Sequence, residues 1–434
     1  MSKLPSGWEW TTIGEVCDVV GGATPKTSNP SYWGGSIPWV TPDDLSRHDR
    51  RGISCGARSL TDEGLRAASV RILPAGTVLF SSRAPIGYVA IAEVPLGTNQ
   101  GFKSVVPPSG LLSDFLYWYL RFATPLIESM ASGTTFKEIS KRRMQEVPLP
   151  LPPRAEQERI VAAIEEHLSR LDAAERALQA SNDRLEVLQQ RLIDAAIEGE
   201  IVCLGDLLRE PLRNGLSARA DANGSIRVVT LTAVTQDAFV DDNTKRIEPK
   251  DRSVDDLWMQ PGDIFIQRSN TPELVGTAAL FDGPADWAIF PDLLIRVRVD
   301  CARVDPRYLT LVLRSTRLRR YFQQSAQGIA GSMPKINQPV VESAPIPLPS
   351  IERQREILAR LSKETESVGR LEGASSLAAR RARSLRRSIL AAAFSGKLVP
   401  QDPDDEPASV LLERIRAERA AAGSVKRTRK AKAS

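Results

Sequence analysis

Lys26-Thr27, following Gly21-Gly22, is the first place where these residue types could bind a phosphate, and the spacing fails. The glycine that must precede the lysine is missing, so the backbone cannot wrap a phosphate there. Zinc is excluded by a similar count. The chain has only His48 and His167, and its four cysteines (Cys17, Cys55, Cys203, Cys301) are far apart with no Cys-x-x-Cys. Those cysteines are expected as free, mostly buried thiols in a reducing compartment. No Gly-x-Ser-x-Gly turn is present, and neither histidine suggests a triad; His167 falls on a helix seam, where packing is its expected role. The adjacent carboxylates Asp43-Asp44 and Asp255-Asp256 lie in loops, where such pairs are solvated or cap helices. These counts point away from an enzyme and towards a binding protein.

The side chains left for binding are hydrogen-bonding groups in loops. Direct readout of duplex DNA uses Arg or Lys on guanine and Asn or Gln on adenine. The first half of the chain offers Lys26, Arg47, Arg50, Arg51 and Arg83, and the second half Arg213, Lys245, Arg246, Gln267, Arg268 and Asn270. Any one of these is more often a surface charge or a phosphate-positioning group than a base reader. Gly133-Thr134-Thr135 with Lys137, and Gly331-Ser332 with Lys335, either bind phosphate through backbone N–H groups or cap short helices. A net charge of +5 suits a polyanionic partner. Asn29-Pro30-Ser31-Tyr32 is similar to the Asn-Pro-Pro-Tyr motif of amino-group DNA methyltransferases. That chemistry also needs a Gly-rich cofactor loop behind a strand, and this region reads as turns and short strands. A methyltransferase carrying its own catalytic motif is therefore the rival reading, and tight S-adenosylmethionine binding by the isolated chain would favour it. A coiled-coil scaffold is a third reading, marked by no salt-dependent binding to DNA.

The elements that must position these residues are dominated by an internal repeat. Residues 148–201, opening Pro-Leu-Pro-Leu-Pro-Pro, recur without a gap as residues 345–398, opening Pro-Ile-Pro-Leu-Pro-Ser, at a constant shift of 197. The proline run cannot be helix interior and reads as an extended strap. Behind it no Pro or Gly occurs from Glu156 to Glu198, and Gly199 is a plausible terminator. Ile164, Leu171, Leu178, Leu185 and Leu192 recur every seven residues, with His167, Ala174, Ser181, Leu188 and Ala195 expected as a narrow second row. The second copy aligns Leu361, Val368, Ser375, Ala382 and Ile389, with Glu364, Leu371, Ala378, Leu385 and Ala392 between. Mutual pairing of the two copies as a coiled coil is the expectation.

Around the repeat lie two looser copies of a β-rich unit, residues 1–147 and 202–344. Pro261-Gly262-Asp263-Ile264-Phe265 echoes Ala75-Gly76-Thr77-Val78-Leu79, Arg268 echoes Arg83, Gly276 echoes Gly87, and Lys335-Ile336 echoes Lys137 and Ile139. Residues 17–70 and 208–258 share almost nothing, so a duplicated frame carries diverged inserts. Leu111–Arg121 reads as helix. Residues 399–434 read as an acidic turn, a short helix from Ser409 to about Ala421, and a basic tail, Lys426–Lys432, either disordered until it meets phosphates or simply solubilising. At 434 residues the chain has room for two or three domains. It lacks the apolar runs of a signal peptide or a membrane span, which points to the cytosol.

Taken together, Leu4-Pro5-Ser6-Gly7-Trp8, Gly22-Ala23-Thr24-Pro25, Asn29–Trp33, Ile37–Leu45, Gly133-Thr134-Thr135, both proline straps with Glu156-Gln157 and Arg353-Gln354, and Gly396–Ala408 resemble the specificity subunit of type I restriction–modification enzymes. The resemblance covers nearly the whole chain. It implies an α+β fold: two mainly-β target recognition domains joined by two long helices in an antiparallel coiled coil that spaces them, with pseudo-twofold symmetry. It implies a non-catalytic chain that recognises a bipartite double-stranded DNA target. Two modification subunits would hold S-adenosylmethionine and methylate adenine, and restriction subunits would cleave with ATP and Mg, leaving no cofactor on this chain. The off-seam residues Leu168 and Ile197 are the expected docking points for the modification subunits.

Overall fold

The computed structural model describes residues 3–133, 137–217, 219–235, 239–240, 242–248, 253–328 and 333–431, with side chains to residue 421. By internal contacts the chain divides into two units, Met1–Arg176 with Ala378–Ser434, and Ala177–Leu377. The division runs through both long helices and not at the straps, because the two ends of each helix are built into different cores.

The first unit contains β1 (Glu9–Thr12), α1 (Ile13–Val16), β2 (Asp18–Gly21), β3 (Trp33–Val40), α2 (Pro42–Ser46), β4 (Gly52–Ile53), β5 (Arg58–Leu60), α3 (Asp62–Ala67), β6 (Val78–Ser82), β7 (Ile86–Ala92), β8 (Gly97–Thr98), β9 (Lys103–Val106), α4 (Ser113–Met130), α5 (Lys141–Gln145), β10 (Pro148–Leu151) and the start of α6 (Arg154–Ala196). Its frame is a five-stranded sheet in the order β2-β9-β6-β7-β4, on which α4 packs Phe115, Leu116, Leu120 and Ile127. The expected helix at 111–121 runs on to Met130, straight through Pro125, because its buried face continues past the proline. The strap is a strand, β10, paired only with β1; an edge position suits prolines that cannot donate. The insert forms its own three-stranded sheet, β5-β3-β8, over a separate small core of Trp39, Leu60 and Val70. Trp33 and Trp39 meet edge to face in that core, as packing residues.

The second unit contains the end of α6, then β11 (Glu200–Cys203), β12 (Arg213–Asn214), β13 (Ile226–Val229), β14 (Thr244–Ile247), β15 (Ile264–Gln267), β16 (Ala278–Leu280), β17 (Leu294–Val297), α7 (Pro306–Leu313), α8 (Thr316–Ser325), α9 (Gln338–Glu342), β18 (Pro345–Leu348) and the start of α10 (Ile351–Phe394). The frame recurs as a four-stranded sheet, β12-β17-β15-β16, and its strap β18 pairs with β11 as β10 pairs with β1. Gly276 does sit where Gly87 does. Both have positive φ (+77 and +105), and a Cβ on either would lie 2.4 Å from a side chain of the crossing helix, Phe322 or Thr124. The insert here is a β13–β14 hairpin over its own core of Val228, Ile247 and Ile289. Placing each insert on a private core lets it diverge without disturbing the frame.

The seven-residue seam holds on the second helix, where Leu361, Val368, Ser375, Ala382 and Ile389 are all buried. On the first helix Ile164 is buried and Leu171, Leu178, Leu185 and Leu192 are half-buried. The second row is corrected by one residue. His167, Ala174, Ser181, Leu188 and Ala195 face solvent, and Leu168, Glu175, Asn182, Gln189 and Ala196 turn inward. A heptad seam alternates steps of three and four, and the leucines occupy the position followed by four. Polar residues on the inner row hid this. They pair across the helices: Gln189 Nε2 donates to Glu372 Oε1 at 3.1 Å, and Arg386 bonds Asp172 and Glu175. Within the second unit Glu198 pairs with Arg353 and Gln189 with Glu372, so the helices run antiparallel.

The last helix, α11 (Ala408–Ala431), is longer than expected and continues through the basic stretch to Ala431. Leu411, Leu412 and Ile415 fasten it to the first unit's core, and Arg416 and Arg419 pair with Glu15 and Asp18. Only Cys17 is a buried thiol; Cys55, Cys203 and Cys301 are exposed, against the expectation.

Candidate DNA interface

Each unit builds a loop onto the end of one frame strand. In the first, Ser132 and Glu138 exchange backbone hydrogen bonds (3.2 and 3.0 Å), and Ile139 N–H donates to the Ser82 carbonyl at 3.0 Å. Ser132, Glu138 and Ile139 are thereby pinned to the end of β6, with Gly133 at φ +124. In the second, Gln327 and Lys335 exchange backbone bonds (2.9 Å each), and Ile336 N–H donates to the Arg268 carbonyl at 2.9 Å. Thr134, Thr135, Gly331 and Ser332 lie outside the described residues.

The shared ladder fixes the register between the units. Gly76 N–H donates to Ala92 O and Gly262 N–H to Phe281 O; Ser82 N–H donates to Gly101 O and Arg268 N–H to Leu293 O. Ser82 therefore matches Arg268, Arg83 matches Ser269, and Glu138 matches Lys335. This corrects the echo of Arg83 in Arg268, and of Lys137 in Lys335, by one residue.

The candidate residues separate into two groups. Lys26, Arg47, Arg50 and Lys137 are exposed in the first unit, and Lys335 is exposed and Arg268 half-exposed in the second. Neither Arg268 nor Lys335 has an ion-pair partner among the described residues. The other group is occupied structurally. Arg51 is held by Asp114 at 3.2 Å and by Glu165, against α4 and α6. Arg213 pairs with Asp256 at 2.9 Å, and Arg246 donates to the Gly224 and Ser225 carbonyls. Lys245 is half-buried in β14. Gln267 is buried and donates to Leu231 O and Thr235 Oγ1, and its own Oε1 accepts from Asn270 Nδ2 at 2.7 Å. Asn29 spends its side-chain oxygen on the N–H and hydroxyl of Ser31, capping a single helical turn.

Two residues that sequence reasoning passed over belong to the loop site. Lys103, on β9, donates to Glu138 Oε1 at 3.0 Å and Ser82 Oγ at 3.2 Å, and Arg83 Nη1 lies 3.6 Å from Glu138 Oε2. No local pattern joins residues 82, 103 and 138; only the sheet does. Of the two docking candidates, Leu168 is 3% exposed and belongs to the first unit's core, so it is not a surface. Ile197 is half-buried beside Ile201, Tyr321 and Pro347 in a groove of about 650 Å³. Among the described residues no group of His, Cys, Asp and Glu could hold a metal, and no helix is long and apolar enough to cross a membrane.

Residues 5–181 match the type I restriction modification DNA specificity domain. Over 99% of its length the chain is similar to specificity subunits of type I restriction–modification enzymes. The chain is 41% identical over 166 residues to the MjaIX specificity subunit of Methanocaldococcus jannaschii, spanning 38% of each chain. It is 26% identical over 465 residues to the StySPI specificity subunit of Salmonella potsdam, covering 99% of both. A chain from a solved type I restriction–modification system shares its fold with a TM-score of 0.70 at 21% identity, over 92% of this chain and 100% of that one.

Proposed function

We propose that this chain is the non-catalytic reader of a bipartite DNA target, each unit reading one half-site. The observation that carries this reading is the pair of loops pinned in matching register to β6 and β15 on a shared frame, beside inserts that share neither sequence nor fold. Similar frames hold two readers in the same way, and different inserts give them different half-sites. Methylation of adenine with S-adenosylmethionine, and cleavage with ATP and Mg, would belong to modification and restriction subunits that assemble on this chain in the cytoplasm.

Leu188 and Leu385 replace Leu168 as docking points. They are equivalent in the repeat, off the seam, and 46% and 50% exposed. One apolar contact presented twice suits two copies of a modification subunit.

The test is exchange of residues 10–147 for the same unit of a relative, followed by selection of bound sites from randomised duplexes. One half-site should change and the other should persist. A change in both would refute one unit per half-site.

A further inference from the structure

The two loop sites are anchored by matching backbone hydrogen bonds and differ in how their charges are paired. In the first, Glu138 accepts from Lys103 at 3.0 Å and lies 3.6 Å from Arg83, so two cations converge on one carboxylate. At the matching positions the second unit has Lys335 for Glu138, Ser269 for Arg83 and Ile295 for Lys103, with Arg268 in place of Ser82. No carboxylate pairs with Arg268 or Lys335 among the described residues. In the first unit two of the loop's cations thus share one carboxylate while Lys137 stays exposed, and in the second unit neither cation has a carboxylate among the described residues.

We propose that Glu138 is a built-in counter-ion that holds Arg83 and Lys103 off the DNA phosphates, so that at this loop these two cations contribute less to the grip on the backbone than Arg268 and Lys335 do in the second unit. The proposal rests on the DNA-reading function given above. The physical case is one of competition. A carboxylate already in place accepts from Lys103 and attracts Arg83 at ion-pair distance, and a phosphate must compete with it for both cations. Lys335 and Arg268 have no such competitor and can release counter-ions on contact. Lys103 and Glu138 act here as positioning residues, setting how strongly the backbone is held.

The test uses the full chain assembled with its modification subunits and a fixed non-target duplex, titrated over a range of NaCl concentrations. Glu138→Gln should bind more tightly, and its plot of log affinity against log salt should steepen by about two, one for each released cation. Arg83→Gln in the Glu138→Gln background should return about half of that change. Lys335→Glu should flatten the slope by at least about one. Glu413→Gln, an exposed neutralisation on α11, should leave the slope as it was and so removes general charge as a cause. If the wild-type assembly binds the duplex but the Glu138→Gln slope matches wild type, the counter-ion role is wrong and DNA reading stands. If the wild-type assembly shows no salt-dependent binding, both fall. Melting temperatures of all variants, read alongside, distinguish a changed slope from a damaged fold.

Discussion

Gln157 and Gln354 make the same three hydrogen bonds in the two units. Gln157 Oε1 accepts from Leu112 N–H at 2.9 Å, and its Nε2 donates to Pro152 O and Gly110 O at 3.2 and 3.3 Å. Gln354 Oε1 accepts from Asp305 N–H at 2.8 Å, and its Nε2 donates to Pro349 O and Arg303 O at 2.9 and 3.0 Å. Both residues are fully buried. Each therefore sews the first turn of a long helix to its proline strap and to the loop ahead of a frame helix. Gln157→Ala and Gln354→Ala should each cost about 1–3 kcal/mol, because buried backbone groups lose their partners. Hydrogen exchange should quicken at Leu112 in the first variant and at Asp305 in the second, each without the other.

Leu168 and the pair Leu188 and Leu385 should behave oppositely. Leu168→Ala removes a core side chain and should destabilise by about 2–5 kcal/mol, seen in denaturant midpoints. Leu188→Glu and Leu385→Glu should melt as wild type does and copurify with less modification subunit. Full copurification of the double variant would remove this docking surface from consideration.

Arg51→Ala should leave the salt dependence of DNA binding unchanged, because Asp114 and Glu165 already hold the guanidinium. Lys26→Ala, Arg47→Ala and Arg50→Ala remove exposed charges beside the insert. Any of them that touches phosphate should lower the salt slope by about one.

The thiols should divide three to one. Cys17 is buried beneath α11, and burial pushes its pKa up to about 12. At pH 8 an alkylating reagent should modify Cys55, Cys203 and Cys301 in the native protein, and Cys17 only after unfolding. Mass spectrometry of peptides before and after denaturation reads this directly. Labelling of Cys17 in the folded chain would mean that α11 opens readily.

Glu156 is buried between Trp8 Nε1 at 2.8 Å and Gln401 Nε2 at 2.7 Å. Burial raises its pKa above the ordinary carboxylate value, and the two donors oppose that only in part. The folded chain therefore binds this proton more tightly than the unfolded one. The contribution is fully present below the ordinary carboxylate pKa and is lost as pH rises through the raised value. Stability of wild type relative to Glu156→Gln should fall over that interval, as urea titrations at stepped pH would show.

The sequence by itself determined the duplication, the straps, the seven-residue seam and the want of catalytic constellations. All of these are local or periodic, and a shift of 197 residues carries them from one copy to the other. Even the glycine pair Gly87 and Gly276 was legible, since positive φ beneath a crossing helix admits little else. What the sequence could not determine is which neighbour each charge meets. Arg51, Arg213 and Arg246 look as free as Lys26 or Arg50 in one dimension, and only folding brings them against Glu165, Asp256 and the Gly224 carbonyl. The inner row of the seam was misplaced for the same reason, because Glu175 and Gln189 face inward only by virtue of partners on another helix. The one-residue error that joined Arg83 to Arg268 needed the backbone ladder to correct it. Register in a sheet is a relation between strands far apart in the chain, and a single residue of slip moves every side chain to the opposite face.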